Sequence, residues 1–238
     1  MRTKFRVRWN MTPREAVRLQ HLWRDRIECQ DRFGPLRYVA GADIAFDPAT
    51  EVAFAGVIVY RLPELAEVER CMVRRKLRFP YVPGLLSFRE GPILVAAFAR
   101  LRMEPDVILI DGQGFAHPRR FGIASHLGLV LDTPTIGCAK SILVGEAKEP
   151  AARSGSASPL MHQGEQVGVA LRTRENVRPI YVSTGHRVSL ESAVEIVTQC
   201  TDGFRIPKPT READRWVGEL RRAYQARRQR SNADPARC

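Results

Sequence analysis

Two acidic residues stand in positions that call for a partner. Val107 to Ile110 form a short apolar run between Pro105 and Gly112, the pattern of a strand buried on both faces in the middle of a sheet. The run stops on Asp111, after which Gly112 and Gly114 leave the backbone free to turn with nothing bulky beside the carboxylate. Asp-Gly is also an ordinary turn signal, so taken alone Asp111 can equally open an Asx turn. A second strand-like stretch, Leu36 to Phe46, carries Asp43 in its middle. At period two Asp43 shares a face with Val39, Gly41 and Ala45, and a half-buried carboxylate there needs a cation or hydrogen-bond donors to offset its desolvation. Two such carboxylates on adjacent strands are how a protein holds Mg²⁺ or Mn²⁺ through oxygen ligands.

The elements that must position them follow from periodicity and caps. Thr12-Pro-Arg-Glu15 spells a capping box, and Ala16, Leu19, Gln20 and Trp23 follow at helical spacing, with Leu22 and Ile27 widening the apolar side; this helix is expected against the sheet edge. The Asp43 strand, a strand over roughly 52–60 and another over roughly 67–77 form an antiparallel meander. Pro80-Tyr-Val-Pro83 is too rich in proline for a helix or a central strand and predicts a rigid loop presenting Tyr81. Ser87-Phe-Arg-Glu90 again spells a capping box, which gives Glu90 a plain capping role. Pro92, however, opposes an early start, so the helix carrying Ile93, Leu94, Ala97, Phe98 and Leu101 is expected to begin near Gly91.

After the Asp111 strand, a helix over about 120–131 and a strand at Thr135–Ala139 complete a crossover that makes parallel neighbours and brings out Lys140 at the same sheet end as Asp111. Residues 145–159 read as an exposed, mobile loop. Strands over about 165–172 and 177–183 make a hairpin, and Ser189 caps a helix to about Cys200. A last helix from Thr210 keeps Ala213, Trp216, Val217, Leu220 and Tyr224 on one side, ahead of an arginine-rich, frayed tail with Arg221, Arg222, Arg227, Arg228 and Arg230. A meander followed by parallel strand-helix units is an α/β arrangement, the mixed sheet flanked by helices of ribonuclease H-like domains. In that class acidic residues from the first strand, the central strand and a helix converge on divalent metal, and Asp43, Asp111 and Glu90 match the description.

The whole chain bounds these readings. With 238 residues, 44% of them hydrophobic, one catalytic domain over 1–230 with a short tail over 231–238 is expected. No apolar stretch approaches a membrane span, and the basic N-terminus lacks the apolar core of a signal peptide, so a cytoplasmic protein with no membrane partner is expected. Cys29, Cys71, Cys138, Cys200 and Cys238 are odd in number and widely spaced, which argues against disulfides or zinc. A net charge of +12 and a pI near 10.2 favour a polyanionic partner.

Four blocks then carry a resemblance: Gly41-Ala-Asp43-Ile-Ala; Pro80-Tyr-Val-Pro-Gly-Leu-Leu-Ser-Phe-Arg-Glu-Gly-Pro92; Asp111-Gly-Gln-Gly-Phe-Ala-His-Pro-Arg119; and Ile136-Gly-Cys-Ala-Lys-Ser141, with Gly185-His-Arg-Val-Ser189 as a weaker fifth. The sequence resembles the endonuclease V family of deaminated-base repair nucleases. The resemblance implies Mg²⁺-dependent hydrolysis, with Mn²⁺ as a substitute, of the second phosphodiester 3′ to deoxyinosine, leaving a 3′-hydroxyl and a 5′-phosphate, by a monomer. Carried over by position, it implies Asp43, Asp111 and Glu90 as metal ligands, Lys140 and His117 as catalytic helpers, Pro80, Tyr81, Val82, Pro83 and Gly84 as the wedge that fills the gap of a flipped base, and the backbone of Gly112 and Gly114 as lesion pocket. Asp214 stands open between a further carboxylate of the site and a surface salt bridge. Lys140 as a solvated strand end, His117 as a loop histidine and Tyr81 as core beside Phe79 are the plain alternatives, and a hydrogen-bonded core role is expected for His126. Two other functions compete: an endonuclease preferring inosine in RNA, and a non-catalytic nucleic-acid-binding protein on the same fold.

Overall fold

The computed structural model describes residues 7–233, with side chains as far as 230. The basic segment 1–6, Cys238 and most of the expected tail over 231–238 lie outside the described residues.

A nine-stranded sheet organises the chain. Strands β1 (Tyr38–Asp47), β2 (Val52–Arg61) and β3 (Ala66–Lys76) form the expected antiparallel meander. Next to β1 runs β4 (Val107–Ile110), parallel to it, and beyond β4 runs β5 (Thr135–Ala139), parallel to β4. Antiparallel strands complete the sheet: β9 (Ile180–His186), β8 (Glu165–Leu171), β7 (Ala157–His162) and β6 (Glu146–Ala147), in the order β3-β2-β1-β4-β5-β9-β8-β7-β6. This is the ribonuclease H-like mixed sheet that the strand pattern predicts.

Helices cover both faces. On one, α2 (Leu86–Phe98) and α3 (Ile123–Leu131) pack Ile93, Leu94, Phe98, Ile123 and Leu127 over Ala40, Ala42, Ile108 and Ile110. On the other, α4 (Leu190–Gln199) and α5 (Lys208–Ala233) lie over Val39, Val107, Leu109, Ile136 and Cys138. Residues alternate along each strand, so this second face also receives Asp43, Asp111 and Lys140, two residues beyond Gly41, Leu109 and Cys138. The parallel register pairs Gly41 with Leu109 and Ala42 with Ile110, so Asp43 and Asp111 stand next in line.

Several expectations are corrected. Helix α1 (Pro13–Trp23) has the predicted Thr12–Glu15 capping box but does not sit on the sheet edge. Its buried Ala16 packs with Phe79, Leu85 and Phe88, and Leu22 is left 64% exposed, so the helix braces the proline-rich loop and the start of α2. Helix α2 starts at Leu86 rather than near Gly91 and contains Pro92, with no side chain capping its N-terminus. Burial of Phe88, Ile93, Leu94, Ala97 and Phe98 outweighs a proline interruption that costs about 3 kcal/mol.

Helix α3 begins at Ile123, because residues 113 and 114 fold back over Gly122 through the Gly122 N–H to Gly114 carbonyl bond. The 145–159 segment holds β6 and the start of β7, since Glu146 and Ala147 pair with Met161 and Leu160. Strand β9 starts at Ile180 rather than Val177. The arginine-rich end of α5 stays helical to Ala233: Leu220 and Tyr224 pack on Phe54, and Gln225 and Arg228 hold the buried Asp47.

Helix α5 crosses β1 at Gly41, where an added Cβ would meet the backbone of Pro209 at 2.1 Å. We therefore expect Gly41→Ala to displace the start of α5 and to cost about 1–3 kcal/mol through overpacking. Its thermal midpoint should fall by several degrees and its nuclease activity with it; a variant as stable and active as the parent would show that the close approach is not required.

Candidate metal centre and base-sized cavity

Three carboxylates converge where β1 and β4 approach α5. One oxygen from each of Asp43, Asp111 and Asp214 lies within 4.8 Å of the others. Asp43 comes from the middle of β1, Asp111 from the residue after β4, and Asp214 from the second turn of α5, which Gly41 allows close to the sheet. Burial, together with the negative charges of Asp111 and Asp214, pushes the Asp43 carboxyl up to about 8. Burial also raises Asp111, against the hydrogen bond and charge of Lys140.

The lysine ammonium donates to Asp111 Oδ2 at 2.5 Å and to Asp214 Oδ2 at 3.1 Å. Burial works against its charge, but the two carboxylates outweigh that and raise its pKa. Lys140 is thus an ion-paired member of the cluster rather than a solvated strand end. The donor set fits a hard divalent cation: it is all oxygen and anionic, and although Asp214 is exposed, the like charges of the largely buried Asp43 and Asp111 need a positive partner this close.

Glu90 reaches the same region from α2, on the opposite face of the sheet. It lies outside the group within 4.8 Å, yet Asp111 is one of its electrostatic neighbours. Burial, against the charge of Arg89, lifts it to about 7. Such a carboxyl can hold or release a proton near neutral pH. Asp214, left open by the sequence, takes the third place in the cluster.

The loop between β3 and α2 is clamped at both ends. Arg89 Nη1 donates to the Phe79 carbonyl at 2.7 Å. The Gly84 carbonyl accepts from Gln20 Nε2 at 3.0 Å, His117 Nε2 at 3.0 Å and Arg119 Nη2 at 2.8 Å, and Gly84 itself takes a left-handed φ of +75° that favours glycine. Tyr81, between these anchors, is 70% exposed. It is therefore not core beside Phe79.

His117 differs from its expected role. Its Nδ1 accepts from the Arg119 backbone N–H, so its proton sits on Nε2 and goes to Gly84. Both ring nitrogens are committed, and burial, with the charge of Arg119, depresses its pKa to about 4. It holds the loop as a neutral ring. His126 has the expected core role, buried with Nδ1 2.9 Å from Ser87 Oγ.

A cavity of about 270 Å³ opens between this loop and the carboxylates, lined by Tyr81 to Gly84, Asp111 to Gln113, His117, Ile123 and Ala139 to Leu143. It is smaller than the roughly 300–1,000 Å³ typical of drug-sized ligands and suits one planar base. Gly112 lines it and Gly114 does not: a Cβ on Gly114 would meet the Thr184 carbonyl at 2.1 Å, so Gly114 serves packing against β9. Sequence reading missed Gln20 and Arg119, which anchor the loop from a distance. It also missed Gln113, which lines the cavity with its Oε1 buried and without a hydrogen-bond partner among the described residues. The Asp-Gly-Gln-Gly turn itself was the only local signal for Gln113.

Comparison with known proteins places the chain among relatives. The endonuclease V family profile matches residues 21–215. An endonuclease V of Gloeobacter violaceus is 49% identical over 221 residues, spanning 91% of this chain and 89% of the relative. The endonuclease V structure of Bacillus subtilis superposes with a TM-score of 0.91 at 31% identity, over 95% of this chain and 100% of that one. That of Ciona intestinalis, in complex with a 24mer DNA containing an inosine followed by a ribo-adenosine, is 32% identical with a TM-score of 0.75, over 88% of this chain and 98% of that one.

The raised carboxyls set a pH dependence. Folded Asp43 titrates near 8 and unfolded Asp near 3.9, so between those values the unfolded state binds fewer protons and stability falls as pH rises. Glu90 contributes in the same direction up to about 7. In chelator, the thermal midpoint should drop between about pH 4 and pH 8. Asp43→Asn should flatten the drop and raise the midpoint at pH 8, and a divalent cation should stabilise the parent more at pH 8 than at pH 5. An Asp43→Asn protein less stable than the parent at pH 8 in chelator would contradict this account.

Proposed function

This chain belongs to the endonuclease V family, metal-dependent nucleases that repair DNA at deaminated bases by hydrolysing phosphodiester bonds, and from that premise we propose that it recognises deoxyinosine and cuts the second phosphodiester 3′ to it. The observation that carries the reading is the adjacency of three carboxylates to a cavity of one base's size with Tyr81 at its rim.

Asp43, Asp111 and Asp214 would hold Mg²⁺, or Mn²⁺ in its place, with Glu90 assisting through water. The ion supplies Lewis-acid polarisation of a phosphate oxygen and a lowered pKa for water. Glu90, whose carboxyl burial raises beside Asp111, would be the group there that takes up a proton. Lys140, beside Asp111 and Asp214, would offer its ammonium to the phosphate. The clamped loop gives Tyr81 the rigidity to fill the space of an extruded base, while Gly84 and Gly112 let backbone approach that base closely. One chain supplies the whole site, which suits a monomer, and the free thiols at Cys29, Cys71, Cys138 and Cys200 suit a cytoplasmic location. Among the described residues no helix is long and apolar enough to cross a membrane.

RNA is a second candidate substrate, favoured by the ribo-adenosine after the inosine in the Ciona complex. Cutting matched DNA and RNA oligonucleotides with one inosine each decides between them.

Asp43→Ala or Asp111→Ala should lower cutting of inosine DNA in Mg²⁺ on the order of a thousandfold or more, the several kcal/mol a catalytic metal supplies, while binding in Ca²⁺ largely survives. Near-normal cutting by either variant removes the site assignment. For recognition, base–aromatic stacking is worth about 1–3 kcal/mol, and about 1.4 kcal/mol is tenfold. Tyr81→Ala should therefore weaken discrimination between inosine and undamaged duplex by up to roughly a hundredfold. Unchanged discrimination, or a lowered melting temperature with every affinity reduced alike, rules the wedge out.

A further inference from the structure

The Phe79–Gly84 loop is a partition with a cavity on each side. Tyr81 to Gly84 wall the cavity beside the carboxylates, whereas Phe79 and Pro80 wall a second cleft of about 510 Å³ that reaches the end of β3. We propose that this second cleft is a nucleic-acid subsite that receives the strand opposite the lesion when the substrate is a duplex. The inference rests on the proposed function and extends it to a surface with no part in the metal centre.

Charge identifies the occupant. Arg75, Lys76 and Arg78 line the cleft and are exposed. None of the three has an ion pair or side-chain hydrogen bond among the described residues, unlike nearby Arg70, which is paired with Glu67, and Arg74, which lies over the Tyr224 ring. No acidic residue lines the cleft among those described. Three unpaired cations on one short stretch carry a self-repulsion that a polyanion relieves. Trp9 and Pro80 add apolar surface to the cleft's walls, with the buried Phe79 behind them.

Geometry identifies the strand. The scissile phosphate has to lie by Asp43, Asp111 and Lys140, so the lesion strand occupies the first cavity's side of the loop. An aromatic ring inserted in place of the extruded base has the two backbones of the duplex on opposite sides of it. The second cleft lies across the same loop from the first, and Arg75, Lys76 and Arg78 are there to meet the second backbone.

The test uses the full chain with Ca²⁺ in place of Mg²⁺, and measures affinity and its salt dependence for one inosine oligonucleotide, first single-stranded and then annealed to its complement. A triple variant, Arg75→Gln with Lys76→Gln and Arg78→Gln, should bind the duplex on the order of tenfold more weakly. Its log–log salt slope should be shallower by about 0.9 for each phosphate that is no longer neutralised, and its affinity for the single strand should stay within about twofold of the parent. Arg78→Glu alone should weaken duplex binding more than Arg78→Gln, at an unchanged melting temperature. Equal losses on single strand and duplex would overturn the assignment to the opposite strand, and no loss on either would overturn the subsite. The parent's preference for inosine over adenosine in the same single strand reports on the proposed function by itself, so a failure there is distinct from a failure of the cleft.

Discussion

Two carboxylates stand side by side in the middle of the sheet, Asp43 on β1 and Asp111 one residue beyond the end of the parallel β4. Carrying Asp43 and Asp111 there is costly, because both are largely withdrawn from water and each raises the energy of ionising the other. Much of the surrounding architecture answers that constraint. Strand β4 ends after four residues, Gly112 then turns the backbone away, and Lys140 at the end of β5 supplies an ammonium to Asp111. Gly41 removes the side chain that would hold α5 off the sheet, so Asp214 completes the cluster from a third element. The cluster is an arrangement a divalent cation stabilises, and Lys140 offsets part of its negative charge.

The second organising feature is a hydrogen-bond network. One carbonyl, that of Gly84, accepts from Gln20, His117 and Arg119, which belong to α1 and to the segment after β4. Arg119 also bonds Gln20, so the donors hold one another. This network ties the loop carrying Tyr81 to the turn that follows Asp111, and thereby fixes where Tyr81 sits relative to the carboxylate cluster. Rigidity at this point matters because a side chain left 70% exposed gains little from core packing and is held in place by the loop's clamps instead.

What could be read from the sequence followed the range over which each signal acts. Period-two alternation put Asp43 on one face of its strand, and a buried apolar run ending on Asp111 marked a sheet interior. Both are local patterns, and β1 and β4 have them. The Pro80–Pro83 loop was legible for the same reason, since proline restricts its own backbone. Asp214 stayed open because its place depends on where α5 crosses β1, a tertiary fact carried by Gly41 some 170 residues earlier in the chain. The start of α2 was misplaced because the proline penalty is local, whereas the burial of Phe88 and Phe98 that overrides it is not. The commitment of both His117 nitrogens was invisible for a similar reason: one partner is Gly84, 33 residues away.

The central claim is that Asp43, Asp111 and Asp214 form one cation site at the meeting of β1, β4 and α5. Anomalous diffraction from crystals soaked in Mn²⁺ tests it most directly. A single strong peak, or a close pair, is expected within coordinating distance of Asp43 and Asp111, with Lys140 withdrawn from the Asp111 carboxylate. Manganese bound elsewhere, with the Lys140–Asp111 ion pair intact at full metal occupancy, would contradict it.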